Sequence, residues 1–126
     1  MPEKVLIVED DPRNMKVAVM ALRSHGYIIL QAEDGEEALK IAEKEQPNII
    51  LMDIRLPGID GLEVTRRLKK NPSLSSIPIV AVTAHAMKGD EEQALASGCE
   101  AYVTKPIDTR QLPELVAGIM AGGGRR

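Results

Sequence analysis

The sequence predicts a doubly wound α/β domain, a five-stranded parallel sheet of strand order 2-1-3-4-5 with five helices, and three observations carry that expectation. Short runs rich in Val and Ile alternate along the chain with longer segments of helical period. Three of those runs are apolar throughout, as strands covered on both faces are. Strict alternation of strand and helix calls for right-handed crossovers between parallel strands. The order 2-1-3-4-5 suits five strands and puts a switch point between strands 1 and 3, where folds of this kind bind their ligands.

The elements follow in order. KVLIV, residues 4–8, is the first strand. The helix behind it has Asp11 as N-cap and Pro12 at its first position, carries Met15, Val19 and Leu22 on one face, and stops at Gly26. YIIL, residues 27–30, is the second strand; the second helix runs from Asp34 to Gln46, ahead of Pro47, with Ala38, Leu39 and Ala42 inward. NIILM, residues 48–52, is the third strand. The third helix spans Asp60 to Asn71, ahead of Pro72, and Asp60 with Glu63 has capping-box spacing. IPIVAV, residues 77–82, precedes a helix from Ala86 to Ser97 that ends at Gly98. AYV, residues 101–103, is the fifth strand, and the last helix follows Asp108 with an irregular start, because Pro113 removes a donor within its first turns. Residues 1–121 make one domain and residues 122–126 a short tail.

Composition narrows the function. The 126 residues are about one domain's length, enough to bury roughly two-thirds of the unfolded chain's surface. Tyr27 and Tyr102 are the only aromatics, so the core is aliphatic and ring platforms for nucleic-acid bases are lacking. Net charge is -3 with basic residues scattered among acidic ones, which offers no cationic face to DNA or an anionic membrane. A lone Cys99, with no apolar run of signal or membrane-spanning length, points to a reducing cytoplasm. Cys99 itself reads as a small buried hydrophobe, and the methionines read as packing, with Met15 a candidate for a partner surface.

The stretch NIILMDIRLPGIDG, residues 48–61, poses the chemical question: an apolar run built for burial ends on Asp53. Burying an unpaired carboxylate costs roughly several kcal/mol unless a cation or hydrogen bonds compensate it. In a parallel sheet all strand ends open on one rim. There Asp53 meets Glu9 and Asp10 from the first strand, Thr83 and Ala84 from the fourth, and Lys105 with Pro106 from the fifth. Alone, each reads as a solvated charge or turn residue; together, at four strand ends, they do not. Gathered carboxylates repel one another unless a cation joins them, and hard oxygen donors select Mg²⁺, which takes one or two carboxylates, several waters and a phosphate oxygen. Zinc is disfavoured, since Cys99, His25 and His85 lack ligand spacing. A carboxylate beside a metal, a hydroxyl and an ammonium is a nucleophile for phosphoryl transfer, with Asp53 attacking and Thr83 and Lys105 bonding the phosphoryl oxygens. The product, an aspartyl phosphate, hydrolyses readily and suits a switch. Asp11, the third acid of that turn, reads as a helix cap.

With VLIVEDD, LMDIRLPGIDG, VTAHA and YVTKP in this order and spacing, the chain resembles the receiver domain of bacterial two-component response regulators over about residues 3–120. Stretches such as NMK, GLEVT, AMKGDEE and GCEAY most resemble stand-alone regulators of cell division and polarity, the DivK type. The resemblance implies a flavodoxin-like receiver fold, Asp53 as phosphoacceptor, and Mg²⁺ held by Asp10, Asp53 and the backbone carbonyl of Arg55, with Glu9 acting through metal-bound water. It further implies that Thr83 and Lys105 contact the phosphoryl group, that Tyr102 is a switch aromatic, and that the Lys105–Pro106 bond is cis. Arg55 and His85 occupy the variable positions that tune dephosphorylation in the family. The phosphodonor it implies is a sensor histidine kinase or a histidine phosphotransfer protein, the output is affinity for a protein target, and the chain is mostly monomeric and no turnover enzyme. An aspartyl-phosphate phosphatase of the haloacid-dehalogenase type fits less well, because its nucleophile lies on the first strand and Arg55 stands where its second Asp would be. A flavodoxin-like flavin protein is disfavoured by the missing aromatics.

Overall fold

A computed structural model describes residues 2–84 and 89–123. Five strands, β1 (Lys4–Val8), β2 (Ile28–Ala32), β3 (Ile49–Asp53), β4 (Ile79–Thr83) and β5 (Ala101–Thr104), alternate with five helices. These are α1 (Pro12–Arg23), α2 (Gly35–Glu45), α3 (Gly61–Lys70), α4 (Asp90–Ser97) and α5 (Gln111–Gly118). Every strand pairing is parallel and the order is β2-β1-β3-β4-β5, as the sequence predicts. Beyond α5 the chain winds on as a π turn, Ile119–Gly123, in which Gly122 has a left-handed φ of 96°.

Side chains of three aspartates set three of the helix starts. Asp11 accepts the Arg13 N–H at 2.8 Å, Asp34 that of Glu37 at 2.8 Å and Asp60 that of Glu63 at 2.9 Å, each satisfying a donor the helix leaves open. The capping box at Asp60 is only half made. Glu63 turns its carboxylate to Arg66 at 3.2 Å and Arg67 at 3.0 Å, which lie three and four residues on and so share its face of the helix. Gly89, with φ 100°, precedes α4, so the helix starts at Asp90; the expected start at Ala86, like His85, lies outside the described residues. Pro113 falls on the third residue of α5, where an N–H has no helical partner to lose. The irregularity is therefore confined to the turn at residues 109–110, which Asp108 steadies by accepting the Arg110 and Gln111 N–H groups at 2.9 and 3.2 Å.

Side chains alternate across the sheet into two apolar layers. Leu6, Val8, Ile50, Met52, Ile79 and Ala81 pack under α2, α3 and α4, while Val5, Ile7, Ile49, Leu51, Val80 and Val82 pack under α1 and α5. β3 and β4 are buried at every residue and β1 nearly so, which gives three strands covered on both faces. β2 and β5 form the half-exposed edges. β2 corrects the sequence reading: Tyr27 precedes it, and the strand runs on to Ala32 because Gln31 and Ala32 still pair with Ile7 and Val8. An exposed Gln31 hid that second half. Met15 is also corrected as a partner residue, since it is 7% exposed in the α1 layer, whereas Met20 on the same helix is 63% exposed. No helix among the described residues is long and apolar enough to cross a membrane.

Candidate functional site

The residue that follows a strand at this rim is tied to its neighbour by the backbone. Glu9 N–H donates to Ala32 at 3.0 Å, Ile54 N–H to Val82 at 3.2 Å and Lys105 N–H to Thr83 at 2.7 Å. The ladders thus continue one residue past the strands and fix where each functional side chain leaves the sheet. Asp53 lies opposite Val82, and Thr83, fully buried, lies opposite Thr104. The Lys105–Pro106 peptide is cis, as the resemblance implied.

Four of the sequence-derived residues converge here. Carboxylate oxygens of Glu9, Asp10 and Asp53 all lie within 4.8 Å of one another. The Lys105 Nζ sits 2.6 Å from Glu9 Oε1 and 3.1 Å from Asp53 Oδ2. Asp53 is 4% exposed, yet both its oxygens are bonded, Oδ1 accepting the Arg55 N–H at 2.9 Å. Glu9 is satisfied the same way, its Oε2 accepting the Asp11 N–H at 3.1 Å. This is how the apolar run tolerates its terminal carboxylate. Burial, joined by the charge of Asp53, holds the Glu9 carboxyl above its usual range despite the Lys105 and Asp11 bonds that oppose the rise. Burial works against the Lys105 ammonium, but its bonds to Glu9 and Asp53 outweigh that and hold it raised.

The donor set fits Mg²⁺. It is all oxygen, three formal carboxylate charges face a single ammonium, and Asp10 is exposed, which keeps a side open for the waters this ion retains. Arg55 contributes its N–H to Asp53 while its guanidinium reaches away to Asp90, at 3.7 Å. Thr83 ends the strand between β3 and β5.

Two residues escaped the sequence reading. Gly61, the first residue of α3, runs so close to β3 that a Cβ there would meet the carbonyl oxygen of Asp53 and come within 2.6 Å of the Ile54 Cα. Its place in PGIDG reads as turn chemistry, and nothing local signals a close approach. Asp90 pairs with a residue 35 positions earlier, which only the fold brings near.

Comparison with known proteins agrees with this geometry. The family model of the response regulator receiver domain matches residues 5–117. The polar-differentiation response regulators DivK of Brucella anthropi and Brucella suis biovar 1 are 47% identical over 116 residues, 92% of this chain and 94% of theirs. Among solved structures, a putative response regulator from Chloroflexus aurantiacus superposes with TM-score 0.92 at 32% identity, over 96% of this chain and 99% of that one. The receiver domain of the sensor histidine kinase PA1611 from Pseudomonas aeruginosa, solved with a magnesium ion coordinated in its active-site cleft, does so with TM-score 0.89 at 36% identity, over 96% and 99%. The chain therefore belongs to the receiver domains of response regulators, whose general function is that of a phosphorylation switch.

Proposed function

We propose that this chain takes a phosphoryl group from a phosphohistidine, on a sensor histidine kinase or a histidine phosphotransfer protein, onto Asp53. Its affinity for a protein target then changes through the face formed by α4, β5 and α5. One observation carries the reading: a buried Asp53 at the open rim, with one oxygen on the Arg55 N–H and the other on the Lys105 ammonium.

In this reading a carboxylate oxygen of Asp53 forms the new P–O bond as the P–N bond breaks, and the electron pair leaves on the imidazole nitrogen. Asp10, Asp53 and the backbone carbonyl of Arg55 would hold Mg²⁺ directly and Glu9 would act on it through water, and the ion would supply neutralisation of the charge on the transferring oxygens. Lys105, oriented by Glu9, bonds one phosphoryl oxygen and Thr83 another. Water later hydrolyses the acyl phosphate, so the domain takes part in its own chemistry and turns over no external substrate. Residues 1–121 form the switch unit and residues 122–126 a tail. Exposed Val17 and Met20 on α1 give the phosphodonor an apolar contact. Half-buried Tyr102 packs in the layer that holds Ala94 of α4, which supports it as the aromatic that answers Thr83.

Intact-mass measurement after incubation with acetyl phosphate tests the reading. One phosphoryl group is gained with Mg²⁺, none without it, and none by Asp53→Asn. Labelling without metal, or of Asp53→Asn, would refute the site.

A further inference from the structure

We infer that Arg55 and Asp90 form a charge latch that holds the start of α4 in its unphosphorylated position, and that a phosphoryl group on Asp53 opens it by drawing the guanidinium away. The inference rests on Asp53 as phosphoacceptor and adds a route from that residue to α4.

The geometry shows a contact made loosely from both sides. Asp90 is 18% exposed, and its Oδ2 is buried with no hydrogen-bond partner. A buried carboxylate oxygen in that condition is costly, and the Arg55 Nη2 at 3.7 Å is beyond hydrogen-bond reach, so it offsets the charge without bonding it. Arg55 for its part is 57% exposed, and its side chain has room to swing. Its backbone is fixed in place, because its N–H is bonded to Asp53 Oδ1. A guanidinium anchored two residues from the acceptor is the group best shaped to bind a phosphoryl oxygen pair, and a new dianionic group there competes directly with Asp90. Losing Arg55 leaves the Asp90 oxygen uncompensated where it is buried.

Asp90 is the first residue of α4, and Gly89 before it adopts φ 100° with open space around it, so a small turn at Gly89 carries Asp90 toward water and the helix start with it. Tyr102 lies in the same field: burial first, then the charges of Asp90 and Glu91, raise its phenol, while Arg55 lowers it. Moving Arg55 off Asp90 changes the surroundings of the aromatic on the output face.

Amide NMR of the full chain, with intact mass recorded on the same samples, tests the latch. In unphosphorylated Asp90→Asn, the amides of residues 91–97 are expected to lie at least halfway to their wild-type phosphorylated positions, and phosphorylation to move them by less than half the wild-type amount. Unphosphorylated Arg55→Gln shifts the same amides in the same direction although it changes a different loop, and Arg55→Lys, which keeps the charge, shifts them less. In the wild type, the Arg55 Nε–H resonance moves on phosphorylation, a readout that needs no variant. The latch is overturned if that resonance stays put, or if the α4 amides of Asp90→Asn match the wild type and respond in full. Failure of the wild type to gain a phosphoryl group would remove the acceptor assignment and the latch together.

Discussion

Gly61 lies against the backbone of Asp53, the residue that carries the site. An Asp closing an apolar strand announces itself by chemistry, as do Glu9 and Lys105 at other strand ends, because a charge in an apolar run demands a partner. Gly61 has no such signal: its importance is the 2.6 Å approach a Cβ would make to the Cα of Ile54, just past β3, a distance set by how α3 packs. Gly61→Ala should therefore destabilise the protein by about 1–3 kcal/mol, the usual result of forcing atoms into a filled space. Gly118 is the counterexample, since a Cβ there meets nothing within 4 Å and the residue is helical. Gly118→Ala should stabilise by roughly 0.5–1 kcal/mol through helix propensity and chain entropy. Urea unfolding of the two variants checks both signs, and a stable Gly61→Ala would mean that α3 can back away from the site.

At the scale of elements, caps and strand runs were readable and interruptions were not. Asp11, Asp34 and Asp60 cap helices as their positions promised. Local pattern and tertiary position diverge at Gln31, which belongs to an edge strand whose pairing with β1 continues past its apolar half. Met15 shares the buried stripe of α1 with Val19 and Leu22, which keeps it inside the layer and off a partner surface. β4 and β5 carry the element-scale prediction. Thr83 is fully buried, and its carbonyl accepts the Lys105 N–H at 2.7 Å, so the strand that holds it is locked to the strand that holds Tyr102. Thr83→Ala should still be phosphorylated by acetyl phosphate but change its affinity for an output partner little. Its β5 amides, compared with the wild type with phosphoryl group attached, measure that loss. A full response in the variant rules out Thr83 as the coupling hydroxyl.

Across the whole molecule, stability and the site pull against each other. The Glu9 carboxyl is raised above its ordinary 4.5, chiefly by burial. At pH below 4.5 folded and unfolded chains both keep it protonated; above that the unfolded chain ionises first, so this contribution to stability falls as pH climbs to the raised folded value. The penalty then persists at neutral pH. Lys105 acts at the other end of the scale, its contribution intact below 10.5 and lost only as pH rises through its own raised value. A divalent cation at the acidic rim offsets the Glu9 penalty, so the gain in melting temperature on adding Mg²⁺ should grow from mildly acidic to neutral pH. An equal gain at both would detach Glu9 from the metal. The two-layer packing has one more consequence, which is a matter of parity. Counting by twos along the strands, Glu9, Asp53 and Lys105 fall in step with Ile7, Leu51 and Val103, on the side of α1 and α5. Thr83 and Tyr102 count oddly against them, in step with or opposite Ala81, on the side of α2, α3 and α4. The charged groups of the rim and the pair Thr83 and Tyr102 thus fall on opposite sides of a sheet five strands wide, and any coupling between them has to pass round its carboxyl rim. A one-residue slip in β5 would exchange the positions of Lys105 and its neighbours across that divide, which makes the register of an edge strand part of the switch.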